Sequence, residues 1–187
     1  MPLNFDLEQL RKQFDCKNWF ETGLWDPRAN VSSKIALSCG FDKVFCIELM
    51  QKWVDLGKEV FKDEIASGRY TLIQDDSTNM QNYLGDSCFS NKTMFFLDAH
   101  VDHPDINGYK KKCPLFEEIE AIKQLPRKDN VILVDDLRLI SWFWGETSYG
   151  NINFLDAIKF QIQTINPAYK FGTLNGHVDN DILIAYV

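Results

Sequence analysis

The sequence predicts a doubly wound α/β fold: a mostly parallel, seven-stranded sheet with a C-terminal antiparallel hairpin. Three observations carry this. Apolar runs of strand length alternate with stretches of helical spacing from Lys17 to Asp136, which is the pattern of βα units covered on both faces. Each of those five runs closes on an acidic residue. Two further runs, "YKFGTL" and "DILIAYV", flank a stretch rich in turn formers and read as a hairpin.

The elements follow in order. "KNWFET" (Lys17–Thr22) is a first strand. "DPRANVSSKIALSCG" is a helix with Asp26 as N-cap, Pro27 at the first helical position and Gly40 at its end. "KVFCIE" (Lys43–Glu48) is the second strand, and Leu49–Ser67 one helix stopped by Gly68. "YTLIQD" is the third strand, with a short polar helix near Met80–Leu84 after it. "MFFLDA" is the fourth. A helix opened by Pro114 carries Leu115, Ile119 and Ile122 at helical spacing. "NVILVDD" is the fifth strand. Leu137–Asn151 reads as a long aromatic loop and Ile152–Asn166 as a last helix.

The bulk properties exclude several classes. The 187 residues, 45% hydrophobic and 25% charged, fit one folded domain, 1–187, with 1–16 a helix or arm ahead of the core 17–187. A net charge of −7 disfavours nucleic acid, which needs a basic face; Lys110–Lys112 is too short a cluster to reverse that. No apolar run reaches the ~18–20 residues of a membrane span. The N-terminus lacks the apolar core of a secretory signal. Five cysteines without a CxxC pair read as reduced thiols, and the expected location is the cytoplasm.

In a doubly wound sheet, ligands bind outside the carboxyl ends of the strands. Those ends present Glu21-Thr22-Gly23, Glu48, Asp75-Asp76-Ser77, Asp98-Ala99-His100 and Asp135-Asp136. Single carboxylates are explained as helix caps. Five on one rim repel one another unless a cation or a donor-rich ligand joins them.

With "WFETGLW", "KVFCIE", "IQDDS", "FFLDAH", "CPLFEEI" and "VILVDD" in this order, the chain from Lys17 to Val187 resembles a class I S-adenosylmethionine-dependent methyltransferase. The branch it resembles is similar to the metal-dependent sugar and macrolide O-methyltransferases. The resemblance implies a cofactor site of Glu21, Thr22, Gly23, Glu48, Asp76, Ser77 and Asp98. Gly23 would let the cofactor approach the backbone, and Glu48 would accept its two ribose hydroxyls. Asp98 and His100 are the implied catalytic residues, His100 as general base. Mg²⁺ on Asp98, Asp135 and Asp136 would hold vicinal hydroxyls of the acceptor. Zinc is the competing idea, from His100, Asp102 and His103, against which stands the lack of a cysteine at ligand spacing.

The implied acceptor is a hydroxylated small molecule or glycan. Arg138 is a counter-charge to the acidic doublet or an anchor for an anionic group. Trp142 and Trp144 belong to a lid over the acceptor or to a self-association surface of a homo-oligomer. One departure stands out. The glycine-rich run of the resembled family shrinks to Gly23, and Trp25-Asp26-Pro27 follow; Trp25 either stacks on a ligand or plugs the site. That loss supports a rival, a non-catalytic binding or assembly module on the same fold. A metal-dependent hydrolase on the acidic strand ends ranks below both, with no nucleophile elbow in the chain.

Overall fold

A computed structural model describes residues 3–29, 31–99, 113–143 and 154–187, the side chains of 141–143 excepted. Seven strands form one sheet in the order β3-β2-β1-β4-β5-β7-β6. They are β1 (Asn18–Thr22), β2 (Lys43–Glu48), β3 (Tyr70–Gln74), β4 (Thr93–Leu97), β5 (Val131–Val134), β6 (Lys170–Leu174) and β7 (Ile182–Tyr186). β1 to β5 are parallel, while β7 runs antiparallel to both β5 and β6. The predicted mixed sheet is therefore the observed one, and its strand order reverses between β1 and β4.

Period-two alternation divides the sheet's side chains between two cores. On one face Phe20, Phe45, Phe95, Ile132 and Val134 pack with the helices α5 (Leu115–Gln124), α6 (Leu137–Phe143) and α7 (Phe154–Ile165). Phe20, Phe45 and Phe89 form an aromatic knot there, with centroids 4.9–5.8 Å apart. On the other face Trp19, Val44, Cys46, Met94 and Phe96 pack with the helices α1 (Leu7–Phe14) and α2 (Ser32–Ser38) and with Phe61. α1 is capped by Asp6, whose side chain accepts the amide of Gln9, and it buries Leu7 in this second core.

Four expectations about helices are corrected. α2 begins at Ser32, with Val31 as a cap that makes no side-chain bond. Asp26 instead accepts the amide and guanidinium of Arg28 and closes a local turn. The single helix expected over Leu49–Ser67 is two, α3 (Gln51–Val60) and α4 (Lys62–Ala66). They part at Phe61, whose buried ring lies 4.8 Å from that of Tyr70. The expected aromatic loop opens as α6; residues 144–151 of it lie outside the described residues. After β3, two short 3₁₀ helices, Ser77–Tyr83 and Ser87–Ser90, stand where the polar helix was expected.

Candidate functional site

The parallel ladder continues one step past the strands and aligns their carboxyl ends. Asp75 N donates to Glu48 O (3.2 Å), Gly23 N to Ile47 O (2.8 Å), Asp98 N to Thr22 O (3.1 Å) and Asp135 N to Leu97 O (3.1 Å). Glu48, Gly23, Asp98 and Asp135 thus share one rim, centred on the reversal of strand order where α/β sheets bind ligands. The side chains on that rim, however, serve different masters.

Glu48 is 5% exposed, and its carboxylate gathers the first-strand turn. Oε2 accepts the amides of Leu24 (2.8 Å) and Trp25 (3.1 Å), and Oε1 accepts that of Met50 (2.6 Å). A carboxylate offers about four acceptor positions, so three amides leave room for one further donor. With two amides on Oε2 and one on Oε1, that position is on Oε1.

Gly23 is required by the protein itself. Its φ is +87°, and a Cβ there would stand 2.6 Å from the carbonyl oxygen of Asp98. The close approach is between two chain segments, where the sequence suggested approach by a cofactor. Leu24 then turns inward and is buried, while Trp25 turns out, at φ 59° and 59% exposed.

Glu21 leaves the rim altogether. It shares the Trp19 face of β1 and is fully buried, accepting Trp19 Nε1 at 2.8 Å and the hydroxyl of Ser33, which lies 2.9 Å from Tyr70 Oη. Burial raises its pKa, against the bonds from Ser33 and Trp19 that lower it. Its place is in a polar network under the sheet, away from the rim that would carry the cofactor. Thr22 closes β1, buried, its hydroxyl 3.2 Å from the amide of Asp98.

At the end of β3, Asp75 accepts Tyr83 Oη (2.6 Å), Asn79 Nδ2 and the amide of Asp76. Asp76 caps the first 3₁₀ helix through the amide of Thr78, and Ser77 is buried at its start.

The acidic doublet meets a residue that the sequence reading passed over. Asp135, Asp136 and Asp181 bring carboxylate oxygens within 4.8 Å of one another, all three buried. Arg138 pairs with both Asp136 and Asp181. The β5–β7 register sets Val134 beside Leu183, and two residues further on Asp136 faces Asp181. The expected metal set had Asp98 where Asp181 stands. A cation on Asp136 would compete with the guanidinium already there, while Asp135, Asp136 and Asp181 together are placed closely enough to hold one. Arg138 is the counter-charge of the two alternatives read from the sequence. His100, Asp102, His103, Lys110–Lys112 and Trp144 lie outside the described residues, as does the side chain of Trp142.

Among the described residues no helix is long and apolar enough to cross a membrane. The five cysteines are free thiols, and burial pushes Cys16, Cys88 and Cys113 up to about 12.

No protein-family model matches the chain, and no curated protein matches it in sequence. Solved structures do match in fold. An O-methyltransferase of Bacillus cereus in complex with SAH (S-adenosylhomocysteine) superposes with a TM-score of 0.65 at 15% identity, covering 97% of this chain and 78% of that one. The O-methyltransferase TomG of Streptomyces achromogenes, involved in tomaymycin synthesis and solved with SAM (S-adenosylmethionine), gives 0.62 at 12% identity, covering 97% and 77%. A methyltransferase of Podospora anserina, bound to SAH, gives 0.59 at 14%, covering 96% and 75%. The chain therefore has the fold of the class I S-adenosylmethionine-dependent methyltransferases, as its strand-end motifs led one to expect.

Proposed function

We propose that the chain is an S-adenosylmethionine-dependent O-methyltransferase acting on a hydroxylated small molecule or glycan, and that residues 1–187 act as one domain. The observation that carries this reading is the meeting of Gly23, Glu48 and Asp98 at the reversal point of the sheet, in a fold whose neighbours were solved with SAM or SAH. When bound, S-adenosylmethionine supplies an electrophilic methyl group. Glu48 would hold a ribose hydroxyl at its remaining acceptor position. The Asp76–Ser77 turn would face the adenine, and Thr22 and Gly23 would line the methionine end with backbone. Asp98 would orient the acceptor hydroxyl, and His100 would take its proton. Arg138, Trp142 and Trp144 would border the acceptor. A cytoplasmic location and pairing with a second copy belong to the same proposal.

We further propose that a divalent cation assists, in competition with Arg138, whose single charge faces both Asp136 and Asp181. The rival, a non-catalytic module, is favoured by one observation: Glu48 spends three acceptor positions on the chain's own amides. A thermal-shift titration with S-adenosylhomocysteine, with and without Mg²⁺, separates the readings. Ligand at ~100 times its Kd adds about 2.7 kcal/mol, roughly 5–10 °C for a chain of this size. A flat response at saturating ligand would leave the module; a Mg²⁺-dependent shift would support the cation.

A further inference from the structure

We propose that Trp25 is a binding residue, a rigid stacking platform for a ring that carries adjacent hydroxyls: the nucleoside of the cofactor or a sugar ring of the acceptor. This rests on the methyltransferase reading above and adds a ligand contact to it.

The first observation is backbone strain in an unsuitable residue. Among the described residues, positive φ falls on three glycines, on Asp15, Asp136 and Asn180, and on Trp25. Asp and Asn tolerate the left-handed region, whereas a bulky aromatic side chain there is an outlier. Such a conformation persists only where the surroundings over-determine it, and it collects at ligand sites.

The surroundings do over-determine it, from three sides. Gly23 lies backbone to backbone on Asp98. Leu24 is buried, its side chain close enough to α3 that a Cβ at Gly57 would stand 3.0 Å from it. Glu48 holds the amides of both Leu24 and Trp25 on one oxygen. The next residue, Asp26, ties itself to Arg28. The turn is thus pinned on both sides of Trp25 while the indole itself remains 59% exposed. The fold holds this residue in place without using its side chain for packing.

An indole on a fixed backbone has only two side-chain torsions to order when a ring lies on it, so the entropy lost is small. The ligand class follows from its neighbour. Glu48 Oε2 lies 3.1 Å from the backbone amide of Trp25, so the residue that carries the indole is bonded directly to the carboxylate whose other oxygen, Oε1, keeps an acceptor position. A carboxylate repels phosphate and accepts hydroxyls, while the indole takes a ring face. Nucleosides and sugars carry both features.

Calorimetric titration of wild type, Trp25→Phe, Trp25→Ala and Trp25→Gly tests this, with S-adenosylhomocysteine, adenosine and methyl β-glucopyranoside as probes. Glycine accepts the left-handed turn without strain, so Trp25→Gly preserves the fold and removes only the platform. The expected result is a loss of about tenfold in affinity for Ala and Gly, with Phe within about twofold of wild type. Loss for the nucleoside probes assigns the platform to the cofactor; loss for the glycoside alone assigns it to the acceptor. Wild-type affinity in Trp25→Gly for every probe that wild type binds overturns the platform and leaves the cofactor reading intact. A wild type that binds none of the three overturns both.

Discussion

Oε2 of Glu48 and the amide nitrogen of Trp25 are 3.1 Å apart, and the same oxygen accepts Leu24 at 2.8 Å. One buried carboxylate therefore sets the path of the chain as it leaves the central strand. Removing it strands those amides and that of Met50. Glu48→Ala should lower stability by about 2 kcal/mol in urea unfolding, since bonds to a charged acceptor are worth about 1.5–3 kcal/mol each and water replaces part of them. A loss below about 0.5 kcal/mol would mean that the turn stands without its clasp.

Trp25→Gly should do the opposite. Left-handed backbone costs a non-glycine residue about 1–2 kcal/mol, and the exposed indole gives up little packing. Glycine's extra freedom in the unfolded chain takes back part of the gain. We expect a net stabilisation of about 0.5–1 kcal/mol, read as a rise of roughly 2–4 °C in Tm; a drop would contradict the strain at φ 59°.

Gly23→Ala meets both obstacles at once, a φ of +87° and a carbonyl oxygen 2.6 Å from the new Cβ. A destabilisation of about 3 kcal/mol is expected, checked by denaturant unfolding. A mild effect would show that β1 and β4 can part beyond their ends at no cost.

Glu21 makes stability depend on pH. Its folded pKa lies above 4.5 because burial penalises the charge. Below about 4.5 folded and unfolded chains both hold the proton, and the contribution is complete. Above that value the unfolded chain releases its proton first, so stability falls as pH rises through the folded pKa. Glu21→Gln carries no such proton, and its stability profile should be flatter from weakly acid to neutral pH. Parallel profiles for the two proteins would place the titrating group elsewhere.

Asp181 anchors the start of α6. Its carboxylate takes Arg138, both guanidinium and amide, and its carbonyl takes the amide of Leu137. Asp181→Ala should cost about 2 kcal/mol, less than a fully buried pair because Arg138 is partly solvated. Arg138→Ala should cost less in that background than in the wild type, the remaining loss being its pair with Asp136. Independent, additive losses in that double-mutant cycle would argue against the pairing.

Much of this was legible in the chain. The five parallel strands could be read because an unbroken apolar run is what a two-sided sheet needs, and "MFFLDA" and "NVILVDD" show such runs. Helix starts were harder. Asp26 has the residue type of an N-cap, but Arg28 supplies its partners two residues on. Phe61 breaks a helix with neither glycine nor proline, through burial against Tyr70. For the strand-end carboxylates, position was readable and direction was not. Alternation along "NWFET" sets Glu21 on the Trp19 side, a signal available in the sequence. That Glu48 would meet amides of its own chain depends on the turn's tertiary path. Part of the crowding on the acidic rim is answered from within the chain, by amides, Tyr83 and Arg138. Asp181 could not be placed before the antiparallel register set it across from Asp136.

The most direct test is a calorimetric titration of S-adenosylhomocysteine into wild type and Glu48→Ala, with circular dichroism to verify that both are folded. Saturable binding at one site in wild type, weakened at least about tenfold in the variant, is the predicted result, equal to about 1.4 kcal/mol lost at the ribose. No binding by wild type, or equal affinity in a folded Glu48→Ala, would contradict a cofactor held at this rim.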